Sequence, residues 1–183
     1  MKSHIKTAKR VPIAMLALAI LAGSGTQGHS ADPPSVGLHE AALLGDVVAV
    51  RQHIAAGSDL DERDPSGGSS PLITAAVFGQ TEVATALIEA GADLDFRNNE
   101  GSTPLHSAAF FCRTEIVEIL LANGADKSLR NNAGATALES VAGPFDEVRG
   151  IYDFLAGVLG PLGLRLDYER IETTRPKIAE MLL

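Results

Sequence analysis

The sequence predicts an all-α solenoid, built from stacked helix-turn-helix units joined by short hairpin loops. Three observations point to it. Ser70-Pro71-Leu72, Thr103-Pro104-Leu105 and Thr136-Ala137-Leu138 recur at a spacing of 33 residues. The pairs Ala41-Ala42, Ala75-Ala76, Ala108-Ala109 and Val141-Ala142 keep step with them, as do Gly57-Ser58-Asp59, Gly91-Ala92-Asp93 and Gly124-Ala125-Asp126. The single spacing of 34 is absorbed by an extra residue in Asp64-Pro65-Ser66-Gly67-Gly68. A fixed period of this length is the mark of a repeat architecture, in which no unit buries its own apolar stripe and at least three must stack.

Each element of the unit has a mechanical reading. Thr103 can cap a helix through its hydroxyl, and Pro104 pre-sets the first turn, where its missing N–H is not needed. Paired alanines let adjacent inner helices approach closely. In the second helix the columns Ala49/Val83/Ile116, Val50/Ala84/Val117, His53/Leu87/Leu120 and Ile54/Ile88/Leu121 are separated by one, four and five residues. That spacing makes one buried helical stripe. Gly57, Gly91 and Gly124 then end the helix in a left-handed turn. Asn98-Asn99-Glu100-Gly101 and Asn131-Asn132-Ala133-Gly134 supply turn chemistry. Asp59, Asp93 and Asp126 recur with the unit and are expected to bond turn backbone.

On these residues the chain resembles the ankyrin-repeat family over about residues 36–142, most closely in segment 102–134. The expected division is a signal peptide and short linker over 1–31, units at 36–67, 68–101 and 102–134, a degenerate fourth unit at 135–159 and a C-terminal cap at 160–183. In that reading Asp146 to Leu159 forms the second helix of unit four, with Val148, Ile151, Tyr152 and Leu155 on one face. The tail offers an alternative, because Arg175-Pro176-Lys177-Ile178-Ala179-Glu180-Met181-Leu182 reads like Arg113-Thr114-Glu115-Ile116-Val117-Glu118-Ile119-Leu120. Residues 143–174 would then be an insertion, and the last helix would complete unit four.

The first 31 residues differ from the rest. Lys2, Lys6, Lys9 and Arg10 form a basic start, and Val11 to Ala22 is an uncharged apolar run. Small and polar residues follow, which is the layout of a secretory signal peptide. Twelve apolar residues are too few for a membrane span, which needs about 20. Cleavage after Ser24 or after Ala31 would release a monomer into the periplasm or the medium. No lipid anchor is expected, since Ser24 stands where a lipoprotein box has its cysteine.

Composition narrows the function. The 183 residues are 45% hydrophobic and 21% charged, which supports a packed core rather than disorder. With Cys112 as the only cysteine, disulfide scaffolds and zinc ribbons are excluded. Nucleic-acid binding is disfavoured by 15 basic residues against 23 acidic ones. Removal of the four basic N-terminal residues takes the net charge from −8 to −12.

Chemical motifs are raised by the sequence and rejected on context. Gly23 to Gly28 spells G-x-G-x-x-G, but Asp32-Pro33-Pro34 follows instead of a helix. His39-Glu40 lacks the second histidine of a zinc helix, because Leu43 stands there. Gly124-Ala125-Asp126-Lys127-Ser128 is the unit's own turn and not a phosphate loop. The resemblance implies that His39 and His106 hydrogen-bond neighbouring turns, whereas His53 reads as a half-exposed cap residue. Asp59, Asp61, Glu62 and Asp64 form an acidic loop that reads as solvated. Cys112 occupies the glycine position of the inter-helix turn, either as drift or as a redox-sensitive thiol.

No catalytic residue, cofactor or metal site is expected. The competing expectation is a carboxylate site at Asp146, Glu147, Asp153, Asp167, Glu169 and Glu172, in a segment without His, Cys or Ser. The preferred reading is a non-catalytic module that binds a protein partner. In the family pattern the two positions after the paired alanines face the concave surface. Here they are Leu43-Leu44, Val77-Phe78 and Phe110-Phe111. Leu43, Val77 and Phe110 are expected to pack inward. Leu44, Phe78 and Phe111 would line an exposed recognition strip, flanked by Asn99, Glu100 and Asn132 at the loop tips.

Overall fold

In the computed structural model, which describes residues 34–183, the paired alanines set the spacing of the stack. Ala41, Ala42, Ala75, Ala76, Ala108 and Ala109 are all fully buried. They bring together the inner helices α1 (Leu38–Leu44), α3 (Pro71–Phe78) and α5 (Pro104–Phe110). Outside them stack α2 (Val47–Ala56), α4 (Thr81–Glu89) and α6 (Thr114–Ala122). Val50, Leu87, Ile116 and Leu120 seal the two rows at 0% exposure. Every regular element among the described residues is helical.

Capping follows the residues. Ser70 accepts from the Ile73 amide at 3.3 Å. Thr103 and His106 form a reciprocal capping box, with Pro104 in the first turn. Gly57, Gly91 and Gly124 hold φ of 75°, 90° and 90° at the ends of the outer helices. The recurring aspartates accept from backbone amides two residues on, Asp59 from Asp61, Asp93 from Asp95 and Asp126 from Ser128. Asp61 and Asp95 reach one unit further and accept from the Asp93 and Asp126 amides at 2.9 Å. In the acidic loop Asp59, Asp61 and Asp64 therefore act as backbone caps, whereas Glu62 is exposed. Among the described residues no group of His, Cys, Asp and Glu side chains is arranged to hold a metal ion.

Unit four departs from the preferred sequence reading. Its first helix is a single turn, α7 (Glu139–Ala142), which packs on α5. The outer position beside α6 is taken by α9 (Tyr168–Leu182), which packs on both α6 and α7. Ile178 and Leu182 lie buried where Ile116 and Leu120 lie one unit earlier. The segment 143–167, containing α8 (Phe145–Leu159) and the 3-10 turn Gly160–Leu162, is thus an insertion between the two helices of unit four. The physical reason lies in the faces of α8. It buries Phe145 and Tyr152 but leaves Ile151 50%, Phe154 69% and Val158 52% exposed. An outer helix needs a continuous buried stripe, and α9 supplies it.

Phe145 and Tyr152 join Cys112 and Ile171 in a second small core, separate from the main stack. Tyr152 stacks on Phe110 at 4.5 Å between ring centroids. Its hydroxyl donates to the Phe110 carbonyl at 2.6 Å and accepts from the buried Arg175 guanidinium at 3.0 Å. Arg175 also donates to the carbonyls of Ser140 and Gly143.

Candidate functional site

The inner helices, the hairpin turns and the insertion enclose an open groove of about 970 Å³ on the concave face. Its floor is built from Leu43 and Leu44 of α1, Val77 and Phe78 of α3, and Phe110 and Phe111. Leu155, Val158 and Leu159 of α8, with Leu162, line the same groove. The turns contribute Asp64, Asn98, Glu100 and Asn131 to the rim.

The expected strip is only partly present. Leu44 is 63% exposed and Phe78 is half-buried, and both line the groove. Phe111 lines it as well but corrects the expected exposure, for only 7% of it is exposed. Helix α5 ends at Phe110, and Phe111 turns edge-on against that ring at 5.3 Å. It also lines a narrow crevice with Leu166 and Ile171, where the insertion returns to the stack. The expected inward column is more open than the sequence reading held, since Leu43, Val77 and Phe110 are half-buried and all three line the groove.

The loop-tip residues divide by role. Asn132 donates its side-chain amide to the Asn99 carbonyl at 2.9 Å, one unit back. The Asn99 side chain lies against Gly68, and that of Asn132 against Gly101. These two asparagines staple successive hairpins together, so their side chains are committed to the stack. Glu100 instead presents an exposed carboxylate to the groove. Asp64, Asn98 and Asn131 share a further task missed in the sequence, each accepting from the amides of its own turn. Burial works against ionisation of Asp64, but the amides of Gly67, Ser69 and Ser66, with His39, outweigh it and hold its carboxyl below the usual range.

A ladder of donors across the units also escaped the sequence reading. Gln80 donates to the Leu43 carbonyl at 2.9 Å, and Arg113 to the Val77 carbonyl at 2.9 Å. Each side chain passes over the turn glycine of the preceding unit, Gly45 for Gln80 and Gly79 for Arg113. A Cβ there would collide with the crossing group, and φ is +77° at both positions. In the next unit Tyr152 of the insertion serves the Phe110 carbonyl instead. No such side chain has to cross Cys112, which explains why a residue with a Cβ is accommodated at φ +53°. The available signal was a donor, Gln80 or Arg113, placed one residue after the turn position in successive units.

The histidines are structural. His106 bonds Thr103 through Nδ1, and its Nε2 donates to the Ala135 carbonyl of the next unit at 3.0 Å. His39 donates to the Glu62 carbonyl at 3.0 Å in the same manner. His53 is buried rather than half-exposed. It donates to the Val36 carbonyl at 2.8 Å and accepts from the Ser58 hydroxyl at 2.9 Å, which ties the chain before α1 to the end of α2.

The acids of the tail serve local structure where they have partners. Asp153 accepts from the Tyr168 hydroxyl at 2.8 Å, and Asp167 caps α9 through the Arg170 amide at 3.0 Å. Asp146, Glu147, Glu169 and Glu172 are exposed.

Comparison with known proteins rests on the same landmarks. A family model described as ankyrin repeats in three copies matches residues 38–131, half of the chain. The chain belongs to the ankyrin-repeat family. This ankyrin-repeat chain is 39% identical over 64 residues to protein phosphatase 1 regulatory subunit 27 of Homo sapiens, and equally to that of Mus musculus. Each alignment covers 35% of this chain and 41% of the relative. It is 34% identical over 59 residues to the DNA-binding protein RFXANK of Homo sapiens, covering 32% of this chain and 23% of that one. The chain therefore spans less than half the length of each of these relatives. Among solved structures it resembles the ankyrin repeat domain of Bcl-3, a member of the IkappaB protein family. The TM-score is 0.55 at 32% identity, over 56% of this chain and 45% of that one. The repeats are similar to those of regulatory and binding proteins, and they suggest protein–protein interaction.

Cys112 has a different outcome from the redox reading. Only 1% of it is exposed, and burial pushes the thiol from an ordinary 9.0 up to about 11, against the pull of Arg175, Arg170 and Arg113. Burial likewise pushes the Tyr152 hydroxyl up to about 12. A thiolate is the reactive form, so the folded protein should leave a thiol reagent unreacted at pH 8, with one equivalent consumed on denaturation. The linkage has a definite sign. Both groups hold their protons more tightly when folded, so their stabilisation is complete below pH 9 and declines as pH rises through 11. Melting curves taken across that window should show the fall. Rapid labelling of the native protein would contradict the burial of the thiol.

Proposed function

We propose that this protein is a non-catalytic interaction module, exported to the periplasm or cell envelope, that binds a protein partner through the concave groove. The observation that carries the reading is the open apolar floor. Leu44, Val158 and Leu162 line one groove with much of their surface in water, and the half-buried Phe78 lies among them. Exposed apolar patches of this kind mark binding surfaces on soluble proteins, and each large side chain that a partner desolvates contributes about 1.5–3 kcal/mol. The repeats suggest protein binding by membership of their family, and the open apolar groove supports the concave face as its place. Asn99 and Asn132 shape its rim through the stack, whereas Glu100 can meet a partner directly.

Two experiments test the proposal. Leu44→Ser combined with Phe78→Ser should leave melting near that of the parent, because Leu44 is exposed and Phe78 only half-buried. Partner capture should fall by roughly a hundredfold, from two desolvated anchors at about 1.4 kcal/mol per tenfold. Retained capture would move the interface elsewhere. For export, the signal peptide expected over residues 1–31 lies outside the described residues, and the intact mass of the native protein decides it. The predicted product starts between Gly25 and Asp32, and a native protein that starts at Met1 would contradict export. No helix among the described residues is long and apolar enough to cross a membrane.

A further inference from the structure

We propose that the groove accepts a cationic amphipathic segment of the partner, with apolar side chains clamped between the inner helices and α8 and Lys or Arg side chains facing the rim. This rests on the reading of the groove as the interface and names the chemistry of its occupant. The first support is the charge of the lining. Glu40, Asp64 and Glu100 line the groove, and among the described residues no Lys or Arg does. His39 and His106 are the other lining residues that can carry charge, and burial, with the nearby Arg97, biases His106 toward its neutral form.

The arginines of the hairpins are occupied elsewhere. Arg63 donates to the Gly68 carbonyl and lies over the Phe96 ring at 4.5 Å. Arg97 donates to the Arg130 carbonyl, and Arg130 pairs with Glu139 at 2.6 Å. The rim acids Glu40 and Glu100, in contrast, form no ion pair among the described residues. Asp64 accepts from three amides of its own turn, so it adds negative field to the rim rather than a free carboxylate. A like-charged partner would be repelled at this surface, and a cationic one steered to it.

The second support is the apolar wall from the insertion. Leu155, Val158 and Leu162 line the same groove as the inner-helix residues, and the open stripe continues along α8 through Ile151 and Phe154. A segment with an apolar face could therefore touch both sides at once, while its charged face remained in contact with the rim. The insertion that displaces the second helix of unit four thus adds a wall that the repeats alone do not have.

The test uses the full chain and three synthetic peptides of equal length. One alternates Leu with Lys in helical register, one replaces Lys by Glu, and one replaces Leu by Ser. Binding is followed by fluorescence anisotropy at 0.15 M salt, where screening suppresses distant charge effects. The Leu/Lys peptide is expected to bind more tightly than both others. Glu40→Lys with Glu100→Lys should weaken it roughly tenfold. Glu89→Lys with Glu118→Lys makes the same change in net charge on the outer helices and should shift binding less than about twofold, as distant exposed charges are screened. Val158→Ser with Leu162→Ser should also weaken binding, and both side chains are exposed enough for the fold to survive.

Equal loss from the two charge-reversal pairs would overturn the proposal, since attraction would then come from net charge alone. Equal binding of the Leu/Glu peptide, still lost in the Val158/Leu162 variant, would refute the cationic preference and leave the groove as the interface. Binding indifferent to the Val158/Leu162 variant, or absent for every peptide, would also overturn the proposal. Loss of partner capture in the Leu44/Phe78 variant, measured separately, tells whether the broader reading fails with it.

Discussion

Truncation of the chain after Leu159 should cause the largest loss of stability available from a single change. It removes α9, the outer helix of unit four, with Ile171, Ile178 and Leu182 buried along it. Each such side chain contributes about 1.5–3 kcal/mol when fully buried, or together about 5–9 kcal/mol. That is comparable with the roughly 5–15 kcal/mol margin of a typical domain. The same cut uncovers the face of α6 and leaves Tyr152 without Arg175. Solenoid units interact with their neighbours alone, so the damage should be graded along the stack. Hydrogen exchange should show lost protection in α5 and α6 and retained protection in α1 and α3, with a lower melting temperature and aggregation. A truncated chain that stayed monomeric and melted unchanged would refute this role for α9.

The second large effect is expected at Arg175. It is 2% exposed, and no acidic side chain pairs with it among the described residues. Its charge is balanced by neutral acceptors, namely the Tyr152 hydroxyl and the carbonyls of Ser140 and Gly143. Arg175→Ala takes the donor from all three and leaves a cavity where the buried side chain stood, at a cost of about 3–5 kcal/mol. Arg175→Met fills most of the volume without the donors and should cost less, because an apolar group of similar size also removes the buried charge. Tyr152→Phe should cost about 1–2 kcal/mol, as the Phe110 carbonyl and Arg175 both lose a partner. The two residues share one relay, so the double variant should lose less than the sum of the singles. Urea unfolding of the four proteins measures this, and strict additivity would contradict the relay.

What was legible in the sequence was whatever repeats. The buried alanines, the Ser70 and Thr103 caps and the turn glycines follow from local chemistry copied every 33 residues, and each was found where the period put it. The insertion was harder because α8 and α9 both carry apolar residues at helical spacing. Periodicity shows that a helix has an apolar face but not which neighbour covers it. The decisive resemblance was Ile178 and Leu182 to Ile116 and Leu120, and it was outweighed by chain order.

The site was legible in part for a related reason. Leu44 and Phe78 could be placed in the groove from their column alone. Phe111 lines the groove too, but its burial could not be read from the column, because it depends on where the insertion returns. Asn99 and Asn132 looked like exposed polar tips, yet their partners lie one unit away and the sequence of a single hairpin cannot show them. Arg175 was aligned correctly with Arg113, but its contact with Tyr152 exists only because the insertion folds back.

The central claim is that the groove between the inner helices and α8 is the surface that meets a partner. A photo-crosslinking residue placed singly at Phe78, at Val158 and, on the outer helices, at Arg51 and Glu118 tests it in the native cell. The account predicts a discrete protein adduct from Phe78 and Val158, both of which line the groove, and none from the two outer positions. An adduct from Arg51 or Glu118, with none from Phe78 and Val158, would contradict it.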